Sequence, residues 1–370
     1  MYFKSIKLTD FRNYKALDID LDPGLNLFLG KNAQGKTNLL EALFIMSLGK
    51  SFKTNKDRDM IAFGADFARV VCVVVNKETD SETEIDISFF ENGKRIKLDG
   101  VNILRSADLL ENVYVVVFFP DDLKIVKDGP ENRRRFIDRE LCQIKPVYYS
   151  DLGNYKKVLK QKNVLLRQNN KDRDLYAVFD EALSDYGVRI IEERERFVSR
   201  LNAISGNIHF KISNGLENIN ISYETDFSGG NDFSEKKEKY LKLLKENFEK
   251  DIFRGYTGFG PHKDDLKIEI NGIDIRQFGS QGQQRTAALS MKLAEIELIK
   301  QETGQKAVLL LDDVLSELDR ERQRFLIEGM KDVQLFISAT EIEKELMDML
   351  PAGSVYSVEA GNVKKLTNRS

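Results

Sequence analysis

Eight consecutive residues, Gly30-Lys31-Asn32-Ala33-Gln34-Gly35-Lys36-Thr37, match the spacing G-x-x-x-x-G-K-[ST]. This spacing suits a loop that holds phosphates. The two glycines let the backbone curl so that amides converge on oxygens. Lys36 would reach the β- and γ-phosphates of a nucleotide, and Thr37 would give its hydroxyl to Mg²⁺. The apolar run "LNLFL" before the loop reads as a strand, and Thr37 to Leu48 reads as a helix. An anion held there would also feel the helix N-terminus. A plain glycine turn with a stray lysine is the alternative, and these flanks weigh against it.

A second pattern lies about 270 residues further on, in "AVLLLDDV", Ala307 to Val314. An apolar strand ends there in two carboxylates. Asp312 would hold the Mg²⁺ through water, and Asp313 would orient or deprotonate the attacking water, making Asp313 and Lys36 the candidate catalytic pair. Many apolar strands end in acids, so this signal gains weight only beside the phosphate loop. The long separation requires a nucleotide domain split around an insertion.

A third pattern is "FGSQGQQRTAALSMKLAE", a polar loop running into an amphipathic helix about 25 residues before the acidic strand. Ser280, Gly282 and Gln283 occupy the layout of the ABC signature loop. A hydroxyl and amides at a helix start make a second phosphate site. One chain needs only one such site per nucleotide, whereas two chains facing head to tail need both. Read alone, Ser280 is an ordinary helix cap. "LSELD", Leu315 to Asp319, follows the acidic strand where ABC ATPases carry a D-loop, with Ser316 and Asp319 as its polar residues; alone it too is a helix start.

The elements that position these residues show a change of texture. Residues 1–30 alternate as strands around a Pro23-Gly24 turn, and 67–99 read as antiparallel strands with an Asn92-Gly93 turn. From about 131 to 205 the pattern is helical. Tyr148, Leu152, Tyr155, Leu159 and Leu166 fall on one face, a polar turn follows at Asn169 to Asp172, and a second helix runs from Leu175 to Leu201. Strand signals return after about Arg254. The expected architecture is α/β: an ABC-type P-loop ATPase domain (1–130 with 255–370) interrupted by a helical insertion (131–254), with arms far too short for a long coiled coil.

Composition narrows the classes further. The 370-residue chain is 41% hydrophobic and 32% charged, with a net charge of −3. A globally basic nucleic-acid binder is excluded, but a local basic patch is not. Cys72 and Cys142 stand far apart, and only His209 and His262 are present, so no zinc or redox spacing exists. No uncharged apolar run approaches ~18 residues, and no signal peptide is apparent, so the expectation is a cytoplasmic protein with no membrane partner. Residues 131–173 hold twelve Lys/Arg against five Asp/Glu, a net of +7 in an acidic chain. That asymmetry suits phosphate backbones. The candidate DNA contacts are Arg133, Arg134, Arg135, Lys156, Lys157, Lys160 and Lys162, although the Arg133–Arg135 triplet could instead serve the fold or the nucleotide. No base-reading motif is present, so recognition would be of shape. His262 in "GPHKDD" reads as structural or interfacial.

Taken with "LTDFRNY", "PDDLKIVKDGPENRRRFID" and "GFGPHKDDL", these motifs make nearly the whole chain resemble the RecF family of bacterial DNA replication and repair proteins, relatives of the SMC-type ABC ATPases. The resemblance implies an ATP- and Mg²⁺-dependent homodimer. It implies binding at boundaries of single- and double-stranded DNA, and action with RecO and RecR in loading RecA. It also places Arg12 and Asn13 near the adenine and phosphates. The chain departs from the general ABC pattern: no Q-loop glutamine is placed, Thr340 stands where a switch histidine is common, and Asp313 replaces the usual Glu. These departures fit a slow, clamp-like ATPase. A transporter ATPase would share the three motifs without needing the basic arm. A small-molecule P-loop kinase would need no signature loop, and a scaffold that binds ATP without turnover is the third rival.

Overall fold

The computed structural model describes residues 1–170, 172–330 and 333–369, without the side chains at 121 and 123. Lys171, one of the twelve cations and part of the polar turn, lies outside the described residues. The chain divides into two compact units: Met1–Asp122 with Ala288–Ser370, and Leu123–Ala287.

The first unit holds two sheets. In the antiparallel one, the order is β2 (Tyr14–Asp20), β1 (Tyr2–Phe11), β4 (Phe67–Asn76), β5 (Ser81–Phe90), β6 (Gly93–Leu98), β7 (Val101–Asn102). Strand β1 buries Phe3, Ile6, Leu8 and Phe11. Phe3 and Ile6 are an odd step apart, and the register shift between Phe3 and Ser5 against β4 restores both to one face. The second sheet runs β15 (Asn362–Arg369), β14 (Gly353–Glu359), β3 (Leu25–Leu29), β13 (Leu335–Ala339), β12 (Val308–Asp312), β8 (Val115–Phe118). Its strands from β14 to β8 are parallel, with β15 antiparallel at one edge. Parallel strands covered on both faces read as unbroken apolar runs, as "VLLL" and "LFI" do.

Helix α1 (Lys36–Leu48) starts where β3 has ended. Leu39, Leu40, Leu43, Phe44, Ile45 and Met46 are all buried, so the helix is apolar all round. Gly49 closes it in the left-handed region, its N–H returning to Ile45 O at 2.7 Å.

The second unit contains α2 (Leu123–Lys127), α3 (Pro130–Ile144), α4 (Pro146–Arg167), α5 (Arg173–Ile212), α6 (Phe233–Arg254) and α7 (Ile275–Phe278). It also contains a small antiparallel sheet, β9 (Ile219–Glu224), β10 (Asp265–Ile270) and β11 (Ile273–Asp274). The α4 face expected from spacing buries Tyr148, Leu152, Tyr155 and Leu166. Helix α5 is longer than its apolar periodicity suggests, 40 residues, and β9 was not visible in the sequence pattern. Because β10 pairs with β9, residues 255–287 fall in this unit. The unit boundary, at 287/288, lies inside α8 (Gln281–Thr303). Helices α9 (Arg320–Glu328) and α10 (Lys344–Met349) complete the first unit. Among the described residues no helix is long and apolar enough to cross a membrane.

Candidate nucleotide site and basic surface

The phosphate loop leaves the end of β3 and closes at Gly35, whose φ of 116° only glycine adopts without strain. Gly30 is required for a different reason: a Cβ there would stand 2.3 Å from Val358 O on β14. Remote groups brace the loop. Asn13 Nδ2 donates to Gln34 O at 3.0 Å, Tyr14 OH donates to Gly35 O at 3.0 Å, and the N–H groups of Ala360 and Gly361 donate to Gln34. Lys36 Nζ rests on the carbonyls of Gly30 and Lys31 at 2.5 and 3.0 Å. Lys31, Asn32 and Ala33 are exposed at the loop crest.

The acidic strand meets this loop. Thr37 Oγ1 donates to Asp312 Oδ1 at 2.8 Å, and Ser338 Oγ donates to the same oxygen at 2.7 Å. Asp313 turns the chain with φ of 57°, a left-handed conformation that Asp tolerates, and stays half-buried. A cavity of about 280 Å³ is lined by loop residues 32–37, Asn38, Lys53, Asp312 and Asp313. Hydroxyl and carboxylate oxygens converging on one point fit a hard divalent cation such as Mg²⁺. Among the described residues no group of three or more His, Cys, Asp or Glu side chains is placed to hold a metal ion, so phosphate and water oxygens would complete such a shell.

Arg12 and Asn13 line a wider cavity of about 1310 Å³ with Asn38 and residues 58–59 and 61–66. The Arg12 guanidinium forks onto Glu41 at 2.7 and 3.0 Å. Glu41, fully buried on α1, escaped the sequence reading, as did Tyr14, Asn38, Lys53 and Ser338. The signal for Glu41 was available: an acid inside an otherwise apolar helix needs a cationic partner.

Ser280 and Gln283 form a reciprocal cap at the start of α8. Gln283 N donates to Ser280 Oγ at 3.2 Å, and Ser280 N donates to Gln283 Oε1 at 3.0 Å. Gln283 also reaches Glu217 at 2.9 Å, and Gly282 O accepts from the Thr286 hydroxyl at 2.9 Å. Ser280 is exposed. Ser316 Oγ donates to Asp313 O at 2.7 Å, and Asp319 caps α9 through Arg322 N.

The basic stretch divides sharply. Arg133, 2% exposed, forks onto Asp265 at 2.6 and 2.7 Å and donates to Asp128 O. Lys162 is fully buried against Asp180 at 2.6 Å. Both were candidate DNA contacts, and burial beside a carboxylate corrects that expectation: neither presents its charge to solvent. Arg134 donates to Asp264 O, while Arg135 is exposed and pairs with Glu131. Lys156, Lys157 and Lys160 stand exposed on α4; Lys156 lies 3.4 Å from Asp138. Lys157 and Lys160 have no carboxylate within 4.0 Å among the described residues.

His262 is half-buried, with both ring nitrogens engaged. Nδ1 accepts from Tyr155 OH at 2.7 Å and Nε2 donates to Thr257 O at 2.8 Å; burial pushes its pKa down to about 4. Nearby, the fully buried Arg194 donates to Pro261 O, Tyr148 OH and Asp138. Burial pushes Asp264 up to about 6, with Tyr223 OH donating to it at 2.5 Å.

A parallel sheet whose strand ends present a phosphate loop beside an acidic pair, with a second helix-start loop ahead of α8, defines an ABC-type ATPase domain. The model of the RecF/RecN/SMC N-terminal domain family matches residues 2–362. An SMC head bound to the C-terminal winged-helix domain of ScpA shares the fold, with a TM-score of 0.57 at 17% identity over 99% of this chain and 97% of the other. Among curated relatives, a "DNA replication and repair protein RecF" of Clostridium botulinum (strain Loch Maree / Type A3) is 45% identical, covering 99% of this chain and 100% of the relative. That of Clostridium kluyveri is 40% identical over the same shares. A solved structure of the recombination mediator protein RecF-ATPrS in the RecFOR pathway superposes with a TM-score of 0.91 at 35% identity, over 99% of this chain and 98% of that one. The chain belongs to the RecF family.

Proposed function

We propose that the chain is a slow ATPase that works as an ATP-dependent DNA clamp in recombinational repair and replication restart. In this reading it binds boundaries of single- and double-stranded DNA and acts with RecO and RecR to load RecA. The observation that carries the nucleotide part is the convergence of Lys36, Thr37, Asp312 and Asp313 on one cavity. The relatives described as RecF-ATP and RecF-ATPrS in the RecFOR pathway support the choice of nucleotide and of partners.

Lys36 would leave the Gly30 and Lys31 carbonyls for the β- and γ-phosphates, where the loop amides around residues 31–37 complete the cradle. Thr37 and Asp312 would hold Mg²⁺, which when bound neutralises charge on the phosphate oxygens. Ser338, through its bond to Asp312 Oδ1, fixes that carboxylate. Asp313 would orient the attacking water and take its proton. Arg12, anchored on Glu41, and Asn13, bridging Gln34 and Asn38, would set the wall on the adenosine side. Ser280, Gly282 and Gln283, with Ser316 and Asp319 beside them in the motif order, would complete the nucleotide site of a second copy in a twofold homodimer. DNA would lie on Lys156, Lys157 and Lys160, with Arg134 and Arg135 at the edge; that surface belongs to the helical insertion proposed for 131–254.

The test is equilibrium binding of ATP and of a gapped duplex. Lys36→Met should lose ATP affinity by roughly a hundredfold, since a charge-assisted bond to phosphate is removed along with its cation. Charge reversal at Lys156, Lys157 and Lys160 should reduce the slope of log K against log salt by about 0.9 per duplex phosphate lost. Unchanged ATP affinity in the first variant and overlaid salt titrations in the second would refute the two halves of the proposal.

A further inference from the structure

Two lysines line the phosphate cavity, and only Lys36 belongs to the glycine-rich loop. The other, Lys53, comes from the segment that follows α1. Its Nζ donates to Asn38 Oδ1 at 2.9 Å and stands 3.6 Å from Glu41 Oε2. Glu41 is already well supplied. Its carboxylate takes both arms of Arg12 at 2.7 and 3.0 Å and the Ser51 hydroxyl at 2.5 Å. A buried carboxylate with a bidentate guanidinium is compensated in charge, so the third, longer contact to Lys53 adds the least. Lys53 is therefore the cation of this cluster that is held loosely, on a neutral amide and a carboxylate shared with another residue. Its side chain is 32% exposed, toward the cavity that also shows Thr37, Asp312 and Asp313. Desolvation lowers its pKa, with Glu41 acting the other way.

Hydrogen bonds tie the segment around it together. Ser51 Oγ accepts from Lys53 N and Thr54 N, so the backbone at 53–54 hangs on the same hydroxyl that touches Glu41. Thr54 Oγ1 donates to Asp59 Oδ2 at 2.6 Å, and residues 58–59 and 61–66 form one wall of the wider cavity.

We infer that Lys53 is a second phosphate-contacting cation that reads the terminal phosphate: with a triphosphate in the cavity its ammonium moves from Asn38 and Glu41 to the γ-phosphate, and with a diphosphate it stays where it is. This rests on the nucleotide reading of the cavity. Lys36 anchors either nucleotide through the β-phosphate, whereas Lys53 separates the two. The move also draws the 51–59 segment toward the nucleotide and reshapes the wall on which Arg58, Asp59 and Phe63 stand.

The experiment measures the affinities of full-length wild type, Lys53→Met, Lys53→Gln and Lys53→Arg for ADP and for a non-hydrolysable ATP analogue, with thermal melts as a check on folding. Lys53→Met and Lys53→Gln should weaken the triphosphate by about tenfold, the loss of one charge-assisted bond, and leave ADP within about twofold. Lys53→Arg should restore most of the triphosphate preference. Equal loss for both nucleotides, or an unchanged ratio in a folded variant, overturns the inference while leaving the cavity a nucleotide site. A wild type that binds neither nucleotide would instead sink the nucleotide reading itself.

Discussion

The loop before α1 and the loop before α8 both bring backbone amides to a helix start, and they are held in opposite ways. The first is braced by residues distant in sequence: Asn13 and Tyr14 on one side, Val358, Ala360 and Gly361 on the other. The second is held mainly by itself, through the mutual Ser280–Gln283 cap, with Glu217 and Ile275 beneath. A loop fixed from several directions is preorganised and can bind alone. A loop that caps its helix, with an exposed serine, offers donors at its surface. In the proposed homodimer one copy would carry the cradle and the other would close over it.

The same contrast between distant and local support separates the basic residues, and it gives the largest expected effect. Arg133→Met should cost roughly 4 kcal/mol in urea denaturation, because Asp265 would be left without its cation. Lys157→Glu should stay within about 0.5 kcal/mol of wild type. Similar costs for the two would erase the distinction.

Gly30→Ala comes next. Its Cβ would meet a backbone carbonyl at 2.3 Å that cannot turn aside, for about 3 kcal/mol and loss of nucleotide binding. Normal ATP affinity in this variant, by fluorescence titration, would mean that β14 does not brace the loop.

Much of this was legible beforehand because it is local. The loop, its helix, the acidic strand and the α4 face each follow from spacing within one short stretch of chain. The Asn92-Gly93 turn, with Gly93 at φ of 143°, is likewise a short-range signal. What was not legible depends on pairing across the chain. A count of cations in 131–173 overstates the solvent-facing charge, since Asp180, Glu193, Glu249 and Asp265 lie outside that window and pair with Lys162, Lys145, Arg173 and Arg133. Strand β9 hid behind a polar sequence because β10 and α5 supply its context. Lys53 belongs to no motif, and the chain's path alone brings it to the cavity, beside the buried Glu41.

A smaller effect comes from the half-buried His262 and the buried Asp264. His262, with its pKa lowered from 6.5 to about 4, contributes stability that is full above pH 6.5 and lost as pH falls through 4. Asp264, raised from 3.8 to about 6, contributes stability that is full below 3.8 and lost as pH rises through 6. From pH 7 to pH 5 the two nearly cancel. Asp264→Asn should uncover a loss of about 2 kcal/mol over that interval. Parallel pH trends in variant and wild type, by urea denaturation, would contradict these burial effects.

Smallest is Ser280→Ala, which removes one cap bond and should cost about 1 kcal/mol of stability while leaving ATP binding by the single chain intact. A fall in that affinity would mean that Ser280 serves the nucleotide of its own chain.

Whether the cradle and the signature loop meet only across two copies is decided by light scattering of wild type and Ser280→Arg with ATP and with ADP. The expected result is a wild-type dimer with ATP, a monomer with ADP, and a Ser280→Arg protein that binds ATP yet stays monomeric. A Ser280→Arg dimer with ATP, or a wild type equally dimeric with ADP, would contradict it.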